Sequence, residues 1–289
     1  MKLKVGDLMN QFHQKPTTHL GVITLEVVNL EKMTKYYETV LGLTTLEKSS
    51  DEVLLGVSNK PLIKMHNNKN TIKAYERQSG LYHLAILLPT MKDFASYLVY
   101  LNDLKLIEGL SDHGVSNAVY FTDIEGNGIE VYADNEPQLW PRKNGQLEMV
   151  TEQVDVEKLM KLNPRPFTKL PDETVLGHIH LHVSNLEEAK AFYVGLLGLD
   201  LIQAYGNQAL FLSFGGYHHH IGLNTWLGSN IKNRQNNQSG IKSYRLIFND
   251  EETRSDVVKR LVASNYNVDQ STSVYQVTDP FGLTIQLAL

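Results

Sequence analysis

The sequence predicts an α+β fold made of four modules, each with a strand, a helix and further strands, that is, four βαβββ modules. Two repeats carry this prediction. The segment VNLEKMTKYYETVLGL from Val28 recurs as SNLEEAKAFYVGLLGL from Ser184, 156 residues further along. The segment QSGLYHLAILL from Gln78 recurs as QSGIKSYRLIF from Gln238, 160 residues further along. Similar segments at a nearly fixed spacing indicate an internal duplication, so the modules follow the order a, b, a′, b′.

Modules a and a′ each begin with a predicted strand that continues into a helix. Apolar residues alternate in VITLEV and in HIHLHV, a pattern that is typical of strands. Asn29 and Asn185 follow these strands, and each can cap a helix because its side chain accepts hydrogen bonds from the free N–H groups of the first turn. Gly42 and Gly198 stand where a glycine in the left-handed conformation ends a helix.

Modules b and b′ each lead from their QSG strand into a helix, predicted over 90–104 and 251–264. Both end in a turn and a strand, DIEGNGIEVY and DPFGLTIQLA, which are again 156 residues apart. The four modules are predicted at about 20–70, 78–137, 175–228 and 238–289. We therefore predict a first domain over 1–137, a linker with a short helical patch over 138–172, and a second domain over 173–289.

The composition excludes several classes of protein and site. The chain has 289 residues, a formal net charge of −5 and no cysteine, so disulfides, cysteine zinc sites and thiol nucleophiles are excluded. An acidic balance does not attract nucleic acid or an anionic membrane, and no stretch approaches the roughly 20 apolar residues that cross a bilayer. We expect a cytoplasmic protein without nucleic-acid or membrane partners; whether it forms a homo-oligomer is left open.

Aligning the modules shows three potential metal ligands, each present in only one copy of the repeat. They are His83, Glu130 and His178, and their counterparts are Ser243, Gln286 and Val22. Two imidazoles and one carboxylate form the facial triad that anchors Fe(II) and leaves three positions open. Neither half of the chain holds all three, so the triad requires module b to pair with a′, with a and b′ as a metal-free partner barrel. We expect Fe(II), with Mn(II) as the alternative.

The motifs around these residues resemble the vicinal oxygen chelate superfamily, which includes glyoxalase I, bleomycin- and fosfomycin-resistance proteins and extradiol dioxygenases. HIHLHVSNL from His178 matches the first strand of that family. The run DHGVSNAVYFTDIEGNGIE over 112–130 resembles the extradiol signature, from which it departs at Ser111 and Ile124. GGYHHHIGLNTW over 215–226 is similar to a run in bacterial catechol-2,3-dioxygenase-like two-domain proteins. The resemblance covers nearly the whole chain and implies two half-open β-barrels.

The resemblance also implies an activity, the cleavage of a catechol-like aromatic diol with O₂, as in aromatic hydrocarbon catabolism. It implies that His219 acts as an acid–base, that Tyr120 contacts the substrate, and that His113 hydrogen-bonds to the substrate or to oxygen. Imidazole suits acid–base chemistry because its pKa lies near the working pH. Side chains alternate along a strand, so His218 and His220 are predicted on the face opposite His219. Which of the three histidines acts is left open, as is the substrate.

Three other functions are consistent with parts of the sequence. A glyoxalase-like isomerase of the same superfamily uses a fourth carboxylate-type ligand or base where this chain has the HHH run. A fosfomycin thiol transferase uses two histidines and one glutamate, but also a basic phosphonate-binding set, and this acidic chain has no such cluster in its sequence. A metal-free binding protein keeps the barrels and loses the ligands, as modules a and b′ do.

Overall fold

The secondary structure follows the predicted modules. The computed structural model describes residues 10–75, 77–229 and 231–289. Module a contains β1 (His19–Glu26), α1 (Leu30–Tyr36) with a wider π-helical turn (Tyr37–Leu41), β2 (Thr44–Lys48), β3 (Glu52–Val57) and β4 (Lys60–His66). Module b contains β5 (Gly80–Leu87), α2 (Met91–Asp103), β6 (Gly109–Asp112), β7 (Ser116–Thr122) and β8 (Gly128–Asp134).

The second half of the chain repeats this order after a connection. The connection contains β9 (Arg142–Lys143), β10 (Gln146–Leu147) and α3 (Val156–Met160). Module a′ contains β11 (Val175–His182), α4 (Leu186–Lys190) with a π-helical turn (Ala191–Leu196), β12 (Asp200–Tyr205), β13 (Ala209–Ser213) and β14 (Ile221–Asn224). Module b′ contains β15 (Gly240–Ile247), α5 (Glu251–Ala263), β16 (Val268–Asp269), β17 (Tyr275–Thr278) and β18 (Thr284–Ala288).

Two eight-stranded sheets result, and each combines one module from each half of the chain. The first has the order β16-β17-β18-β15-β1-β4-β3-β2, and the second has the order β12-β13-β14-β11-β5-β8-β7-β6. The modules join through antiparallel pairs, β1 with β15 and β5 with β11. The α+β fold of four βαβββ modules is thereby confirmed, and so is the pairing of module b with a′. We call the sheets barrel 1 (b with a′) and barrel 2 (a with b′).

The helix caps confirm the local predictions, and the helix ends add a feature that was not predicted. The Asn29 side chain accepts a hydrogen bond from the Lys32 N–H, and Asn185 caps α4 in the same way. Gly42 and Gly198 have φ values of 77° and 85°, as a glycine that ends a helix requires. Both helices widen into a π-helical turn before these glycines. Apolar periodicity did not indicate it, because the i, i+3 and i+4 pattern assumes α-helical spacing and π-helical turns are rare.

The two longest helices, α2 and α5, confirm the predictions over 90–104 and 251–264. Each has 13 residues and buries one apolar face against a sheet. Thr90 caps α2 by accepting from the Asp93 N–H, and Asp250 caps α5 by accepting from the Thr253 N–H. Within the three described ranges, no helix combines the length and apolar character that crossing a membrane requires.

Two buried tyrosine–aspartate hydrogen bonds connect the barrels at equivalent positions of the repeat. The Tyr37 hydroxyl, from barrel 2, donates to Asp123 between β7 and β8 at 2.9 Å. The Tyr193 hydroxyl, from barrel 1, donates to Asp279 between β17 and β18 at 2.7 Å. Burial raises the pKa of Asp279 to about 6. The main apolar core is continuous and takes buried residues from both sheets, so the barrels form one packed body.

Candidate metal centre

Three neighbouring strands of barrel 1 carry the predicted ligands: β5 carries His83, β8 carries Glu130 and β11 carries His178. Ala85 on β5 is paired with Glu130 on β8 and with His178 on β11. Residues two apart in a strand share a face, so His83 and Ala85 lie on the same side of the sheet. The small alanine side chain at the centre of this group leaves the space into which the three ligands reach.

A β-bulge sets the direction of His178. The register of β11 against β5 shifts between Leu176 and His178, so Gly177 has no partner. A bulge of this kind re-aims the following side chain and often lies beside an active site. A Cβ atom on Gly177 would lie 1.9 Å from the Tyr132 hydroxyl, so only glycine fits here. The Tyr132 ring packs 4.9 Å from the His178 ring, between centroids.

The three ligand atoms form a compact triangle. The Nε2 atoms of His83 and His178 are 3.3 Å apart, and they lie 3.0 and 3.1 Å from Glu130 Oε2. Metal bonds of about 2.1 Å that meet at right angles place their ligand atoms about 3.0 Å apart. The triangle therefore fits one face of an octahedron around a divalent metal. In the described part of the chain, His83, Glu130 and His178 are the one group of this kind found.

Electrostatics keep these ligands in the form that binds a metal. Burial by itself would raise the pKa of Glu130, but the adjacent His178 and His83 oppose it and hold that pKa well below its usual range. Burial lowers the pKa of His178 to about 4, against the opposing effect of Glu130. The carboxylate is thus ionised and the His178 ring neutral at neutral pH. Metal binding requires both conditions, because protons compete for the same lone pairs.

His219 lies against this triangle. Its ring centroid is 4.1 Å from that of His178, and burial lowers the pKa of His219 well below its usual range. Its Nδ1 lies 2.8 Å from Nδ1 of His218, whose Nε2 lies 2.8 Å from Asp134 Oδ1. The prediction that His218 faces away from His219 is therefore wrong. The histidines precede β14 in a turn opened by Gly215 and Gly216, both with positive φ, so strand alternation does not apply to them.

His220, for which the same opposite face was predicted, has a structural contact instead. Its Nε2 donates to the Phe12 carbonyl at 2.9 Å, since a carbonyl oxygen only accepts. Its Nδ1 lies 3.1 Å from the Ser213 hydroxyl. His220 is fully buried, and both of its ring nitrogens are occupied by these partners. The hydrogen bond from His220 to Phe12 joins the segment before β1 to the turn before β14.

Tyr120 and His113 lie together on the other side of the ligands. Tyr120 is the cross-strand partner of Glu130, and its ring lies 5.6 Å from that of His83. The His113 Nδ1 donates to the Val150 carbonyl at 2.8 Å, which leaves Nε2 to accept from the Tyr120 hydroxyl at 2.7 Å. Burial and the nearby Glu130 raise the pKa of Tyr120 well above its usual range, so this phenol keeps its proton.

Two further residues belong to the site, although neither was among the site residues predicted from the sequence. His180 is buried, its ring stands edge-on to His83 at 5.1 Å, and its Nε2 has no hydrogen-bond partner among the described residues. Asp134 is buried and also accepts from the Tyr217 hydroxyl at 3.0 Å. A signal existed for each, because His180 shares a strand face with His178, and Asp134 shares one with Glu130.

Comparisons with known proteins agree with this fold. The family described as the Glyoxalase/Bleomycin resistance protein/Dioxygenase superfamily matches residues 19–131 and 175–287. The catechol-2,3-dioxygenase of Bacillus subtilis (strain 168) is 39% identical over 277 residues, which cover 94% of this chain and 96% of that protein. A solved structure from Bacillus subtilis subsp. subtilis str. 168 has a TM-score of 0.65 at 14% identity and covers 95% of this chain and 86% of its own. Glyoxalase I from Zea mays has a TM-score of 0.58 at 14% identity, covering 93% and 92%. At such identities the two structures show the likeness of the fold alone.

Proposed function

The chain belongs to the glyoxalase/bleomycin resistance protein/dioxygenase superfamily, and from that premise we propose that it is an extradiol dioxygenase that cleaves a catechol-like diol with O₂. The observation that carries the proposal is the buried triangle of His83, Glu130 and His178, with ligand atoms 3.0–3.3 Å apart. The named relative from Bacillus subtilis, 39% identical along nearly its whole length, supports the choice of reaction.

We propose Fe(II) at this triangle, with Mn(II) as the alternative, because two imidazoles and a carboxylate accept either ion. When bound, the metal would bring the diol and O₂ together and conduct electrons between them. His83, Glu130 and His178 would hold it, and all three side chains are buried. The fully buried negative charge of Glu130 then has a cation to neutralise it.

The chain from Asp134 through His218 to His219 sets the role of His219 in this proposal. The Asp134 carboxylate accepts a hydrogen bond from the His218 Nε2–H, so the Nδ1 of His218 carries a lone pair. That lone pair accepts a proton from the Nδ1 of His219, which leaves the Nε2 of His219 as a free acceptor. Burial favours the neutral ring. His219 is therefore prepared to take a proton from a diol hydroxyl and to return it later, as general acid–base catalysis requires.

Tyr120 and His113 are proposed to orient the substrate. The Tyr120 hydroxyl donates its proton to His113, so its oxygen presents lone pairs that can accept from a diol hydroxyl. The bond from His113 to the Val150 carbonyl fixes the tautomer on which this arrangement depends. The proposed role of the two residues is to position the diol beside the metal ligands rather than to transfer a proton.

The proposed reaction is balanced between one diol and one O₂ molecule. The carbon–carbon bond beside the diol breaks, and both oxygen atoms enter the product, one in a new carboxyl group and one in a new carbonyl group. No external reductant is needed, because the ring supplies the electrons that reduce O₂. The product is a ring-opened semialdehyde-type acid or the corresponding ketone.

The test is oxygen uptake by protein loaded anaerobically with Fe(II), measured with a panel of catechols and hydroquinones. We expect uptake of one O₂ per diol and, with ¹⁸O₂, a product four mass units heavier than the product formed with ordinary O₂. His83→Ala should abolish turnover together with bound iron. His19→Ala is the matched control, because this histidine lies outside the triangle and bonds to the backbone at Thr17. Iron-loaded protein that consumes no oxygen with any of the diols contradicts the proposal.

The same preparation separates the alternatives. The ligand group contains one carboxylate among the described residues, whereas a glyoxalase-like isomerase is expected to use a second carboxylate. Formation of a thioester from a glutathione hemithioacetal by Ni(II)- or Zn(II)-loaded protein, without oxygen consumption, would favour the isomerase. Protein that binds no divalent metal but retains an apolar ligand would favour a metal-free binding protein.

A further inference from the structure

Barrel 2 contains an open cavity at the place that is equivalent to the metal centre of barrel 1. Its volume is about 500 Å³. The counterparts of all three metal ligands line it, namely Val22, Ser243 and Gln286. None of these three can replace its counterpart as a strong ligand, since one is apolar and the other two offer a hydroxyl and an amide in place of an imidazole and a carboxylate. The cavity of barrel 2 therefore lies at the equivalent of the metal centre but lacks its ligands.

Arg245 enters this cavity from the position that Ala85 occupies in barrel 1. It stands two residues after Ser243 on β15, as Ala85 stands two residues after His83 on β5. Its Nε donates to Gln286 Oε1 at 3.2 Å, at the counterpart of Glu130. A guanidinium stays charged at any physiological pH and has five N–H donors. Barrel 2 thus holds a permanent organic cation where barrel 1 presents ligands to a metal cation.

The charge of Arg245 is not neutralised within the cavity. Lys64 is paired with Glu52 at 2.6 Å, and Lys242 is paired with the buried Glu26 at 3.0 Å. By contrast, no carboxylate of residues 10–75, 77–229 or 231–289 lies within 4.0 Å of the Arg245 guanidinium. The remaining charged side chains of the lining, Glu47 and Lys48, are exposed and opposite in sign.

The rest of the lining is suited to the body of a small organic molecule. Val22, Leu54 and Pro61 provide apolar surface, while Thr24 and Ser243 provide hydroxyl groups. A cavity of this size lies within the range of roughly 300–1,000 Å³ that is typical of small-molecule sites. A planar guanidinium binds a carboxylate through two parallel hydrogen bonds, which adds geometric specificity to charge attraction.

We propose that the cavity of barrel 2 is a binding site for a small organic carboxylate, with the carboxylate on Arg245 and an apolar body against Val22 and Leu54. The site is separate from the metal centre, and the proposal does not depend on the activity proposed for barrel 1. Arg245 is the specificity-determining residue, because it carries the charge of the cavity that no described carboxylate neutralises.

The experiment measures the binding of 4-fluorobenzoate to the metal-free full-length protein by ¹⁹F NMR, with inorganic phosphate as a second probe. Arg245→Gln should weaken 4-fluorobenzoate binding by about ten- to a hundredfold, because it removes charge-assisted hydrogen bonds. Lys158→Gln, which removes a positive charge on α3, is the matched control and should leave the dissociation constant unchanged. Thermal unfolding of each variant shows that it remains folded.

A second variant tests the same site by adding a carboxylate next to Arg245. Gln286→Glu places a carboxylate beside the Arg245 guanidinium, where it should pair with it and weaken 4-fluorobenzoate binding at least tenfold. The proposal is overturned if the wild type binds no 4-fluorobenzoate at millimolar concentrations, or if Arg245→Gln binds it as well as the wild type does. It is also overturned if phosphate binds more tightly than 4-fluorobenzoate, since the cavity would then select an inorganic oxyanion.

Discussion

Replacing Glu130 by glutamine removes the carboxylate of the ligand triangle while it keeps the size of the side chain. Glu130 Oε2 lies 3.0 and 3.1 Å from the Nε2 atoms of His83 and His178. An amide oxygen is a weaker ligand for a divalent cation, and it leaves the charge of that cation without a buried counter-charge. Glu130→Gln should therefore bind metal weakly although its fold is unchanged.

The expected magnitude follows from the number of ligands. Four-ligand zinc sites gain roughly 10–16 kcal/mol from the metal, so one ligand is worth roughly 3 kcal/mol, or about a 100-fold change in affinity. At a metal concentration of 1,000 times the wild-type Kd, metal binding stabilises the wild type by about 4.1 kcal/mol. The same concentration is about ten times the Kd of the variant, so the variant gains about 1.4 kcal/mol. The difference of about 2.7 kcal/mol corresponds to roughly 5 °C in Tm.

The assay is thermal unfolding of the metal-free proteins under anaerobic conditions, repeated with increasing Mn(II), which avoids oxidation of Fe(II) during the scan. Glu173→Gln is the matched control, because this glutamate is exposed and lies outside the triangle. It should show the full wild-type rise in Tm. The reasoning is refuted if Glu130→Gln shows the same metal-dependent rise as the wild type, or if the wild type shows none.

Three further predictions concern the hydrogen bonds that lead to His219, the β-bulge at Gly177 and the pH dependence of stability. Asp134→Asn should lower kcat about 100-fold with little change in metal content, because an amide can reverse the His218 tautomer and leave a proton on the acceptor nitrogen of His219. Gly177→Ala should lower the free energy of unfolding by about 1–3 kcal/mol and weaken metal binding, since its Cβ overlaps a tyrosine hydroxyl. Asp279→Asn should remove a pH dependence of the free energy of unfolding. Because burial raises the pKa of Asp279 to about 6, this residue contributes stability to the wild type that is full below about pH 4. That contribution, about 3 kcal/mol, is lost as the pH rises to about 6.

Each of these predictions has a control or an outcome that contradicts it. Asp112→Asn changes a carboxylate whose hydrogen bond among the described residues comes from the Gly114 N–H, and it should leave kcat near the wild-type value. Gly21→Ala alters the equivalent residue of barrel 2, where the added Cβ meets only side-chain atoms at 3.0 Å or more, so its cost should be smaller. Denaturant unfolding at pH 4 and pH 7 checks the third prediction, and an equal difference between wild type and Asp279→Asn at both values contradicts it.

The metal ligands and the pairing of the modules could be predicted from the sequence, because comparing the two repeats reveals them. The repeat aligned His83 with Ser243 and Glu130 with Gln286, and a shared site was the simplest reason for one ligand-competent member in each pair. The cross-paired barrels followed from the same asymmetry, because the ligands meet only if modules b and a′ share a sheet. Capping residues such as Asn29 act locally, so their effect could be predicted without knowledge of the tertiary fold.

The parts that the sequence did not predict depend on contacts between distant residues. The HHH run looks like strand because it precedes an apolar stretch, but β14 begins only at Ile221, after a turn. The hydrogen bond of His218 to Asp134 joins residues 84 positions apart and has no local signal. The need for glycine at position 177 comes from the Tyr132 hydroxyl, which belongs to another module. Periodicity reports which face of an element is buried, but it does not report which side chains meet across two modules.

The residue pair Ala85 and Arg245 explains how one duplicated scaffold can hold two kinds of site. Two unit charges of the same sign about 4 Å apart repel by roughly 4 kcal/mol at the edge of a protein, and a divalent ion doubles that value. A guanidinium at the centre of a metal site would therefore cancel the contribution of nearly three ligands, at roughly 3 kcal/mol for each. Barrel 1 has a methyl group there and three ligands around it; barrel 2 has the guanidinium, and its ligand positions hold Val22, Ser243 and Gln286. A guanidinium and a bound divalent metal thus exclude each other from one cavity, which links Arg245 in barrel 2 to the absence of metal ligands there.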